Sequence, residues 1–540
     1  MAGSSAEQPV NEPVLAHAPG SPERALVDAE IARQSASPRS LPLVVNGEPI
    51  FSERVQRFSA PHRHTLELGQ IPQAEPEHVA RAIGSALGRK ADWAGRPLSE
   101  RTAVFRRAAD LLAGPWRPRL LAATMLNQSK TVHQAEIDAA CELIDFFRFN
   151  AWFAERLSEQ PLISTATEHN RFELRPLDGF VYAVTPFNFT AIAGNLPSAP
   201  ALLGNTVVWK PSPLAALSAQ LVLELLSEAG LPPGVINLVQ GDPALISKQV
   251  LEHQDFCGLH FTGSSAVFQG LWSAVGQSIA RYRSYPRLVG ETGGKDFIVA
   301  HPSAEVTALA VAIVRGGFEY QGQKCSAASR VYLPRSLAPR VEAEVRAMLN
   351  EIRVGDPCDA QNFMGAVIGR TAFTRIVGYL ERARSDASCR IACGGAADDS
   401  VGFFVEPTLI EVSDPRHALM REEIFGPVVA MFVYDDDRFE QILAECDQAT
   451  PYALTGALFS RDAAATELAR ERLKMSAGNF YLNDKPTGAV VGQQPFGGAR
   501  LSGTNDKAGS AWNLMRWASP RVLKENLNPP RDFRYPFLRS

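Results

Sequence analysis

The 540-residue chain lacks the cysteine pattern of a disulfide scaffold and the ligand motifs of a metal centre. Its seven cysteines are scattered and odd in number: Cys141, Cys257, Cys325, Cys358, Cys389, Cys393 and Cys446. Sparse cysteines of this kind are typical of free thiols in a reducing compartment. Cys389 and Cys393 do not have the spacing of a zinc or redox pair, the ten histidines are dispersed, and no HExxH motif occurs. We therefore expect no bound metal.

A surplus of charge of either sign is also missing. Lys and Arg total 54 against 58 for Asp and Glu. This near-balance gives no reason to expect nucleic acid or an anionic membrane surface as a partner. Residues 1–40, rich in Ala, Ser, Pro and Glu, lack the apolar centre of a signal peptide. We expect this segment to be flexible, without a secretory or transit role.

One stretch lacks charge altogether. Residues 179–209 contain no charged side chain and are long enough to span a bilayer. Pro186, Pro197 and Pro200 interrupt the stretch, and its three asparagines would be costly in lipid. We therefore interpret it as a buried strand–turn–helix–strand unit of a large soluble protein.

The length predicts more than one domain, because 540 residues exceed what one hydrophobic core usually organises. From Phe180 onward, short β-branched runs alternate with helical patterns, which predicts a parallel sheet with right-handed crossovers. The predicted strands are 180–184, 206–209, 235–239 and 258–262, and the predicted helices are 190–203, 213–229, 243–252 and 265–279. Ligands bind such sheets at the carboxyl ends of the strands, so residues 185–189 and 261–265 are candidate binding loops.

A second alternation of strands and helices begins near Phe297. Its strands are predicted at 297–300 and 330–333, and its helices at 304–314 and 337–352. Because Cys325 lies in this second unit, we expect the active site between two domains, a common place for small-molecule clefts. Upstream, residues 134–156 have helical spacing, whereas the polar stretch 158–176 predicts a hairpin that projects from the body.

The stretch from Phe318 to Ser329 places a single cysteine, Cys325, among small residues and amides. A thiolate attacks carbon electrophiles, so a reactive cysteine needs a polar, electropositive and partly open setting. Lys324 and the backbone amides of this turn are candidates to provide it. The alternative is that Cys325 is a small hydrophobic residue at a helix end, as most free cysteines are.

Seven short motifs follow one another between about residue 180 and residue 500. They are Thr185-Pro-Phe-Asn188, Trp209-Lys-Pro-Ser212, Phe261-Thr-Gly-Ser264, Glu291-Thr-Gly-Gly-Lys295, Gly322-Gln-Lys-Cys325, Glu422-Glu-Ile-Phe-Gly-Pro427 and Pro495-Phe-Gly-Gly498. Together and in this order they resemble the NAD(P)-dependent aldehyde dehydrogenase superfamily. The resemblance implies an α/β fold with a Rossmann-like parallel-sheet cofactor domain, an α/β catalytic domain and a protruding β-hairpin flap for oligomerisation.

A narrower resemblance rests on four further stretches. They are Glu142-Leu-Ile-Asp-Phe-Phe-Arg-Phe-Asn150, Pro186-Phe-Asn-Phe-Thr-Ala191, Gln323-Lys-Cys-Ser-Ala327 and Gln494-Pro-Phe-Gly-Gly-Ala-Arg500 with its continuation Ser502-Gly-Thr-Asn-Asp-Lys507. These are similar to the Δ1-pyrroline-5-carboxylate dehydrogenases, also called glutamate-γ-semialdehyde dehydrogenases. That family oxidises a small semialdehyde in the second step of proline degradation.

The resemblance implies three catalytic residues. Cys325 would add to the aldehyde and form a tetrahedral adduct. The Asn188 side chain and the Cys325 backbone N–H would stabilise its oxyanion. Glu291 would be the general base that activates water for thioester hydrolysis. Without the resemblance, Asn188 is interpreted as a turn residue and Glu291 as a solvated loop acid.

The resemblance also implies the cofactor site, for which the chain has no GxGxxG fingerprint. The expected NAD contacts are Thr185, Pro186, Phe187, Lys210, Ser212, Gly263, Ser264, Gly293, Glu423 and Phe425. The sequence departs from the family at Phe268, where many relatives have glycine, and at Pro213, where many have a glutamate for the ribose. These departures leave NADP open as a weaker second cofactor.

For a semialdehyde with an amino-acid head, the resemblance implies a carboxylate anchor. We expect it at the backbone N–H groups of Gly498 and Ala499 and at the Ser326 hydroxyl. Phe189 would pack on the aliphatic chain, and Glu142 is a further candidate contact. Ser326 and Ala499 as small packing residues are the alternative.

The expected domain boundaries follow from these assignments. They are residues 1–40 for a flexible segment, 41–157 and 177–295 for the dinucleotide-binding domain, 296–505 for the catalytic domain, and 158–176 with 506–540 for the oligomerisation flap and tail. An exposed hairpin edge needs covering, so we expect a homodimer or a higher homo-oligomer. The expected compartment is the cytoplasm, or the mitochondrial matrix in a eukaryote.

The function expected from all of this is NAD-dependent oxidation of L-glutamate γ-semialdehyde to L-glutamate through a cysteine thiohemiacetal and thioester. Three alternatives stay open at this point. The chain could oxidise another semialdehyde or an aliphatic aldehyde, or be a thiol esterase or hydrolase without a redox role. A catalytically silent member of the fold is disfavoured by the presence of Cys325, Glu291 and Asn188.

Overall fold

The computed structural model describes residues 7–159 and 161–538. Residues 1–6 of the segment expected to be flexible, Gln160 of the expected flap and the last two residues of the expected tail lie outside this range. The described residues contain two seven-stranded sheets with helices between their strands, which confirms the predicted α/β class.

The first sheet contains the strands predicted from Phe180 onward. In spatial order its strands are Arg287–Glu291, Phe256–Thr262, Phe180–Val184, Val207–Lys210, Ile236–Leu238, Leu43–Val45 and Glu48–Ile50. The first five are mutually parallel, and the last two form an antiparallel edge. The helices between them are Thr190–Leu202, Ala216–Glu228, Pro243–Leu251 and Ser265–Gln277.

In the strand Phe180–Val184, alternate residues belong to two different hydrophobic cores. Phe180 and Tyr182 pack on one face of the sheet, and Val181 and Ala183 on the other. A strand buried on both faces has no need of polar residues between its apolar ones. The uncharged stretch 179–209 is therefore a strand, a helix and a second strand, as predicted. Among the helices of the described residues, none has the length and apolar character needed to cross a bilayer.

The second sheet contains the strands on either side of Cys325. In spatial order its strands are Cys389–Cys393, Thr408–Val412, Val428–Tyr434, Ala328–Pro334, Asp296–Ala300, Thr455–Phe459 and Asn479–Leu482. Only the pairing of the first two is antiparallel. Its helices are Val306–Phe318, Ala338–Glu351, Arg370–Ser385, Ala418–Arg421, Phe439–Gln448 and Ala463–Arg472.

Further helices and short strands surround these sheets. The helices are Pro22–Ala36, Pro76–Gly95, Leu98–Ala113, Arg117–Gln128, Val132–Ala135, Leu143–Ser158 and Ala511–Met515. The small sheets pair Arg39–Ser40 and Val55–Ala60 with Arg63–Pro72, Ala397–Asp398 with Phe404–Val405, and Tyr452–Ala453 with Ala499–Arg500.

The helix predicted at 134–156 is not one regular α-helix. A π-helical segment, Glu136–Glu142, lies between Val132–Ala135 and Leu143–Ser158. A π-turn has a wider hydrogen-bonded ring and is found frequently at functional sites. The apolar spacing in the sequence does not distinguish it from an α-helix, because one wider turn alters the periodicity only slightly.

The hairpin predicted within 158–176 is wrong. The stretch forms one strand, Glu168–Pro176, which pairs antiparallel with Ala518–Asn526 near the carboxyl terminus. The two strands form a separate two-stranded sheet. Alternation of polar and apolar residues identifies a strand, but it does not identify the strand's partner.

The flexibility expected for residues 1–40 is not found in the described part of that segment. Pro22–Ala36 is a helix whose first turn is capped by the Ser21 hydroxyl. Before it, the Glu12 carboxylate lies 2.7 Å from Arg117 and 2.7 Å from Arg148. From composition alone, charged residues in such a segment are expected to be solvated. Here Glu12 forms specific ion pairs with Arg117 and Arg148.

Candidate active site

A strained turn leads to Cys325. Tyr320, Gln321 and Gly322 have φ angles of 50°, 56° and 63°. Glycine is required at the third position, because a Cβ there would lie 2.3 Å from the carbonyl oxygen of Gly426. Left-handed conformations cost non-glycine residues on the order of 1–3 kcal/mol each, so the surrounding structure must hold this turn.

The Gln321 side chain provides much of that support. Its Nε2 donates to the carbonyl oxygens of Ser129 at 3.0 Å and Ala366 at 2.7 Å. Its Oε1 accepts from the Gly365 N–H at 3.1 Å. Three hydrogen bonds from one buried amide fix the turn and thereby the position of the cysteine that follows.

Cys325 lies where two cavities meet. The first has a volume of about 460 Å³ and the second about 310 Å³, and Cys325 lines both. The first cavity contains Asn188 and every residue expected to bind the cofactor: Thr185, Pro186, Phe187, Lys210, Ser212, Gly263, Ser264, Gly293, Glu423 and Phe425. The second contains Glu142, Phe189 and Ser326. One sulfur atom is thus accessible from two sides.

The first cavity forms at the carboxyl ends of parallel strands. Thr185 follows the strand Phe180–Val184, and its hydroxyl accepts a hydrogen bond from Trp209 Nε1 at 3.0 Å. Lys210 ends the next strand, and burial lowers its pKa to about 8. These positions are where a doubly wound sheet binds its ligands.

Phe268 stands where many relatives have glycine, and its packing explains the difference. Phe268 lies in the helix that Ser264 caps, and its ring stacks on Phe261 with centroids 5.3 Å apart. Its side chain is 7% exposed and is absent from the lining of the first cavity. A Cβ on Gly290 would lie 2.2 Å from this ring, so the glycine that makes room is in the neighbouring strand.

Glu423 and Phe425 form the wall nearest Cys325. Glu423 Oε1 accepts from the Gly294 N–H at 2.9 Å, and burial raises the pKa of Glu423. A Cβ on Gly293 would lie 2.3 Å from Glu423 Oε2, which explains the glycine there. The Phe425 ring meets Phe187 edge-on at 5.9 Å.

The electropositive setting expected for Cys325 is not what the structure has. Burial raises the pKa of the Cys325 thiol well above its usual value, and Asp296, Glu423 and Glu291 raise it further. The Ser326 N–H acts in the opposite direction. The thiol is therefore the resting form in this arrangement.

Lys324 does not provide the positive charge. Its ammonium lies 3.3 Å from Glu319 Oε2, and the residue lines the second cavity. Lys324 is paired with Glu319, whereas the charged groups that shift the Cys325 pKa most are carboxylates, so proximity in the chain was a misleading signal.

Asn188 is 4% exposed and lines the first cavity beside Cys325. Its Nδ2 donates to the Gln323 carbonyl oxygen at 3.0 Å. A carboxamide nitrogen has two donors, so the second remains for an oxyanion. The oxyanion role stays a prediction.

Glu291 is turned away from both cavities. Its Oε2 accepts from the Gly498 N–H at 3.2 Å, and it lines neither cavity. Burial raises the Glu291 pKa well above its usual value, Asp506 raises it further, and the Gly498 N–H and Lys507 lower it. As a general base it would have to rotate toward Cys325 and lose this hydrogen bond.

The carboxylate anchor expected at Gly498 and Ala499 is not at the second cavity. The Gly498 N–H already binds Glu291, and Ala499 pairs with Ala453 in a short antiparallel ladder. The residues that line the second cavity are instead Gly488 and Ala489. The dipeptide Gly-Ala occurs twice within twelve residues of sequence. The resemblance pointed to the second copy, Gly498-Ala499, but the first copy lines the cavity.

Within the described residues, the N–H groups of Gly488 and Ala489 have no hydrogen-bond acceptor in the protein. Close by, the Ser326 and Thr487 hydroxyls are 2.9 Å apart. This group of donors can bind a carboxylate that enters the second cavity.

The second cavity also has charges of both signs. Apart from its two cysteines, its ionisable residues are Glu12, His133, Glu142, Asp145, Arg315, Glu319, Lys324 and Lys485. Burial raises the pKa of Glu142 to about 8, and the neighbouring Asp138 and Asp145 contribute in the same direction. A ligand with both an ammonium and a carboxylate group matches such walls better than an apolar one does.

Lys130 gave no signal in the sequence, yet it lies behind the site. It is completely buried, with Nζ 2.7 Å from Asp138 Oδ2. The ammonium also lies 4.2 Å from the ring centre of Phe189 and 4.4 Å from that of Tyr320. It therefore contacts the residue after Asn188 and the turn before Cys325.

Asp138 extends this support to the helix Thr190–Leu202. Its two carboxylate oxygens accept from the N–H groups of Thr190 at 3.0 Å and Ala191 at 2.9 Å. A carboxylate at a helix amino terminus is favourable for hydrogen bonding and for the helix dipole. The π-helical segment that carries Asp138 thus fixes the loop of Asn188.

The surface group Asp386, Cys389 and His417 has the residue types of a metal site. His417 Nδ1 accepts from the Leu419 N–H at 3.1 Å, so the proton of the neutral ring is on Nε2. That nitrogen lies 3.1 Å from Asp386 Oδ2. Nε2 then has no lone pair for a metal, and a hydrogen bond to the carboxylate accounts for the group.

Known proteins share the sequence and the fold of this chain. The family model described as "Aldehyde dehydrogenase family" matches residues 52–522. The chain is 48% identical over 535 residues to "Delta-1-pyrroline-5-carboxylate dehydrogenase, mitochondrial" of Bos taurus, with 99% of this chain and 95% of the bovine protein covered.

Solved structures extend the similarity to the whole fold. The Delta-pyrroline-5-carboxylate dehydrogenase from Mycobacterium tuberculosis bound with NAD is 52% identical, with a TM-score of 0.96 and complete coverage of both chains. The 1-pyrroline-5-carboxylate dehydrogenase from Thermus with bound NAD is 30% identical, with a TM-score of 0.90 and coverage of 96% and 99%.

Proposed function

Because the chain belongs to the aldehyde dehydrogenase family, we propose that it oxidises L-glutamate γ-semialdehyde to L-glutamate with NAD. The semialdehyde is the open form of Δ1-pyrroline-5-carboxylate, and the reaction is the second step of proline degradation. The relatives named above are Δ1-pyrroline-5-carboxylate dehydrogenases that match this chain over nearly its full length.

One observation carries the proposal: Cys325 is shared by two cavities of different chemical character. The first is at the carboxyl edge of a parallel sheet, as expected for a dinucleotide. The second has donors and charges of both signs, as expected for an amino-acid aldehyde. An enzyme that first forms a covalent adduct and then transfers a hydride needs room for the substrate on one side of the sulfur and for the cofactor on the other.

The first cavity fits a dinucleotide. Glycines at 263 and 293 keep its walls free of side chains, and Ser264 opens a helix whose N–H groups can face a pyrophosphate. Lys210 and Ser212 line the same cavity. NAD bound in this cavity would supply the hydride acceptor.

The protein's own groups carry out the remaining steps. The Cys325 thiol gives its proton to solvent in the cleft, and the resulting thiolate adds to the aldehyde carbon. Asn188 Nδ2 and the Cys325 N–H donate to the oxyanion of the thiohemiacetal. After oxidation the acyl group is a thioester, which water attacks after Glu291 rotates into the cleft and takes its proton. Glutamate and the free thiol are the products.

The second cavity would bind the amino-acid head of the substrate. The N–H groups of Gly488 and Ala489 and the Ser326 hydroxyl would bind the carboxylate. Glu142 would bind the ammonium group, and Phe189 would pack on the methylene groups. This assignment replaces Gly498 and Ala499 with the two residues that line the cavity.

NADP is proposed as a weaker second cofactor. Pro213 lines the first cavity where many relatives have a glutamate for the ribose, so a 2′-phosphate meets no carboxylate at that position. The ratio of kcat/KM for NAD and NADP measures this preference.

We also propose a homodimer or larger homo-oligomer formed through the flap. The strands Glu168–Pro176 and Ala518–Asn526 form a two-stranded sheet in which Val522 is 60% exposed, and Ile163, just before the first strand, is 89% exposed. Open strand edges of this kind are usually covered by another chain. The proposed compartment is the bacterial cytoplasm or, in a eukaryote, the mitochondrial matrix.

The decisive test is NADH formation from Δ1-pyrroline-5-carboxylate, with Cys325→Ala beside the wild type. We expect turnover by the wild type and none by the variant. A higher kcat/KM for an aliphatic aldehyde would favour the general aldehyde dehydrogenase, and ester cleavage without any NADH formation would favour a thiol hydrolase.

A further inference from the structure

A segment near the amino terminus forms part of the wall of the second cavity. We call residues 11–17, from Asn11 to His17, the amino-terminal strap. Asn11, Glu12 and Val14 line the same cavity as Cys325 and Phe189. The strap is far from these residues in sequence, so its position depends on the contacts that hold it.

Hydrogen bonds fix the first residues of the strap. Asn11 Nδ2 donates to Asp145 Oδ2 at 2.8 Å and to the Val491 carbonyl oxygen at 2.7 Å. The Glu12 N–H donates to Asp145 Oδ1 at 2.8 Å, and Gln493 Nε2 donates to Asn11 Oδ1 at 2.9 Å. The strap is thereby joined both to the helix Leu143–Ser158 and to the loop after Ala489.

Ion pairs and a backbone hydrogen bond fix the remaining residues of the strap. The Glu12 carboxylate is 9% exposed and lies 2.7 Å from both Arg117 and Arg148. The Leu15 N–H donates to Glu136 Oε1 at 2.9 Å, and His17 Nε2 lies 2.9 Å from Glu136 Oε2. Ion pairs with partners on both sides of the strap hold it in one position, whereas a loosely attached tail would move.

We propose that the amino-terminal strap is a specificity-determining wall that limits the length of the aldehyde the second cavity accepts. This inference rests on the proposed function and deepens it. The strap and Cys325 line the same cavity, so the strap limits the space open to a substrate bound at Cys325. An aldehyde with an additional methylene group meets Val14 or the residues beside it.

Val14 is the residue suited to test this. It lines the cavity with 52% of its side chain exposed, so a larger residue can be accommodated at the mouth without disturbing a core. Val10 directly precedes the strap, is 81% exposed and does not line the cavity, which makes it a matched control. Neither residue is part of the proposed catalytic or cofactor-binding machinery.

The experiment compares Val14→Trp, Val14→Ala and Val10→Trp with the wild type in the full chain. The substrates are Δ1-pyrroline-5-carboxylate and the semialdehyde one methylene longer, α-aminoadipate δ-semialdehyde. We expect Val14→Trp to raise KM for the shorter substrate roughly tenfold, the size of effect that about one misplaced methylene has on discrimination, with kcat unchanged. We expect Val14→Ala to raise kcat/KM for the longer substrate several-fold, and Val10→Trp to match the wild type.

Thermal unfolding of the variants separates specificity from damage to the fold. A structural role alone would lower the melting temperature and reduce turnover of both substrates alike. The proposal is overturned if the Val14 variants change both substrates by the same factor, or if Val14→Trp and Val10→Trp behave alike. A wild type that forms no NADH from Δ1-pyrroline-5-carboxylate would instead overturn the proposed function.

Discussion

The Lys130 ammonium lies 2.7 Å from the Asp138 carboxylate, and both side chains are fully buried. The same ammonium faces the rings of Phe189, which follows Asn188, and of Tyr320, in the turn before Cys325. A buried ion pair is weak evidence for stability in itself, but loss of one partner leaves an uncompensated charge. We therefore infer that the pair fixes the relative position of the Asn188 loop and the Cys325 turn.

Replacement of Lys130 by Met tests this role. We expect a loss of about 3–5 kcal/mol in the free energy of unfolding, because Asp138 stays buried without its cation. We also expect kcat to fall, since Phe189 and the turn at Tyr320 lose a shared contact. Urea unfolding and NADH formation measure the two effects.

A matched variant distinguishes positioning from general damage. Lys130→Met combined with Asp138→Asn removes both charges and should recover much of the lost stability, whereas kcat should stay low. Recovery of kcat together with stability would mean that Lys130 has no positioning role.

The pH dependence of substrate binding tests Glu142. Burial raises the pKa of this residue to about 8, so below pH 8 the free enzyme has mostly the neutral acid. Only the carboxylate attracts the substrate's ammonium group. We therefore expect KM for Δ1-pyrroline-5-carboxylate to fall as the pH rises through about 8, and Glu142→Gln to have a higher KM that varies little over this range. A wild-type KM that rises with pH would contradict the assignment.

Replacement of Ser326 tests whether its hydroxyl binds the substrate carboxylate. Ser326→Ala removes a hydroxyl of the second cavity that pairs with Thr487. We expect KM to rise roughly fivefold with kcat nearly unchanged, the effect of one hydrogen bond worth about 1 kcal/mol. Ser329→Ala is the control, because the Ser329 hydroxyl is not in the cavity lining. Equal effects of the two variants would count against the anchor.

The residues predicted to bind the cofactor all line the first cavity, whereas Gly498 and Ala499, predicted to bind the substrate carboxylate, do not line the second. The ten cofactor residues are in local motifs at strand ends, where order along a parallel sheet determines position. Gly488 and Ala489 are in a loop without regular structure, so the sequence could not indicate which Gly-Ala pair faces Cys325. A nearby motif with the same dipeptide led to Gly498 and Ala499.

Other differences have the same physical origin. The positions of Lys130 and of the amino-terminal strap both depend on contacts between residues far apart in the chain. Periodicity and composition report only on local structure. They also suggested an electropositive setting for Cys325, whereas the carboxylates of Asp296, Glu423 and Glu291, which are distant from it in sequence, raise its pKa.

Glu291 and Cys325 together allow the most direct test of the proposed chemistry. Glu291→Gln removes the base required for hydrolysis but leaves the thiol and the cofactor cavity intact. We expect a burst of NADH about equal to the enzyme concentration, followed by steady-state turnover about 10²–10⁴-fold slower than the wild type. Cys325→Ala should give neither the burst nor the turnover.

The central claim is that oxidation leaves the substrate covalently bound to one sulfur. Mass spectrometry of Glu291→Gln, quenched in acid during the burst with Δ1-pyrroline-5-carboxylate and NAD, measures this directly. The account predicts a glutamyl group attached to the peptide that contains Cys325. NADH formation without any such adduct, or an adduct on another residue, would contradict it.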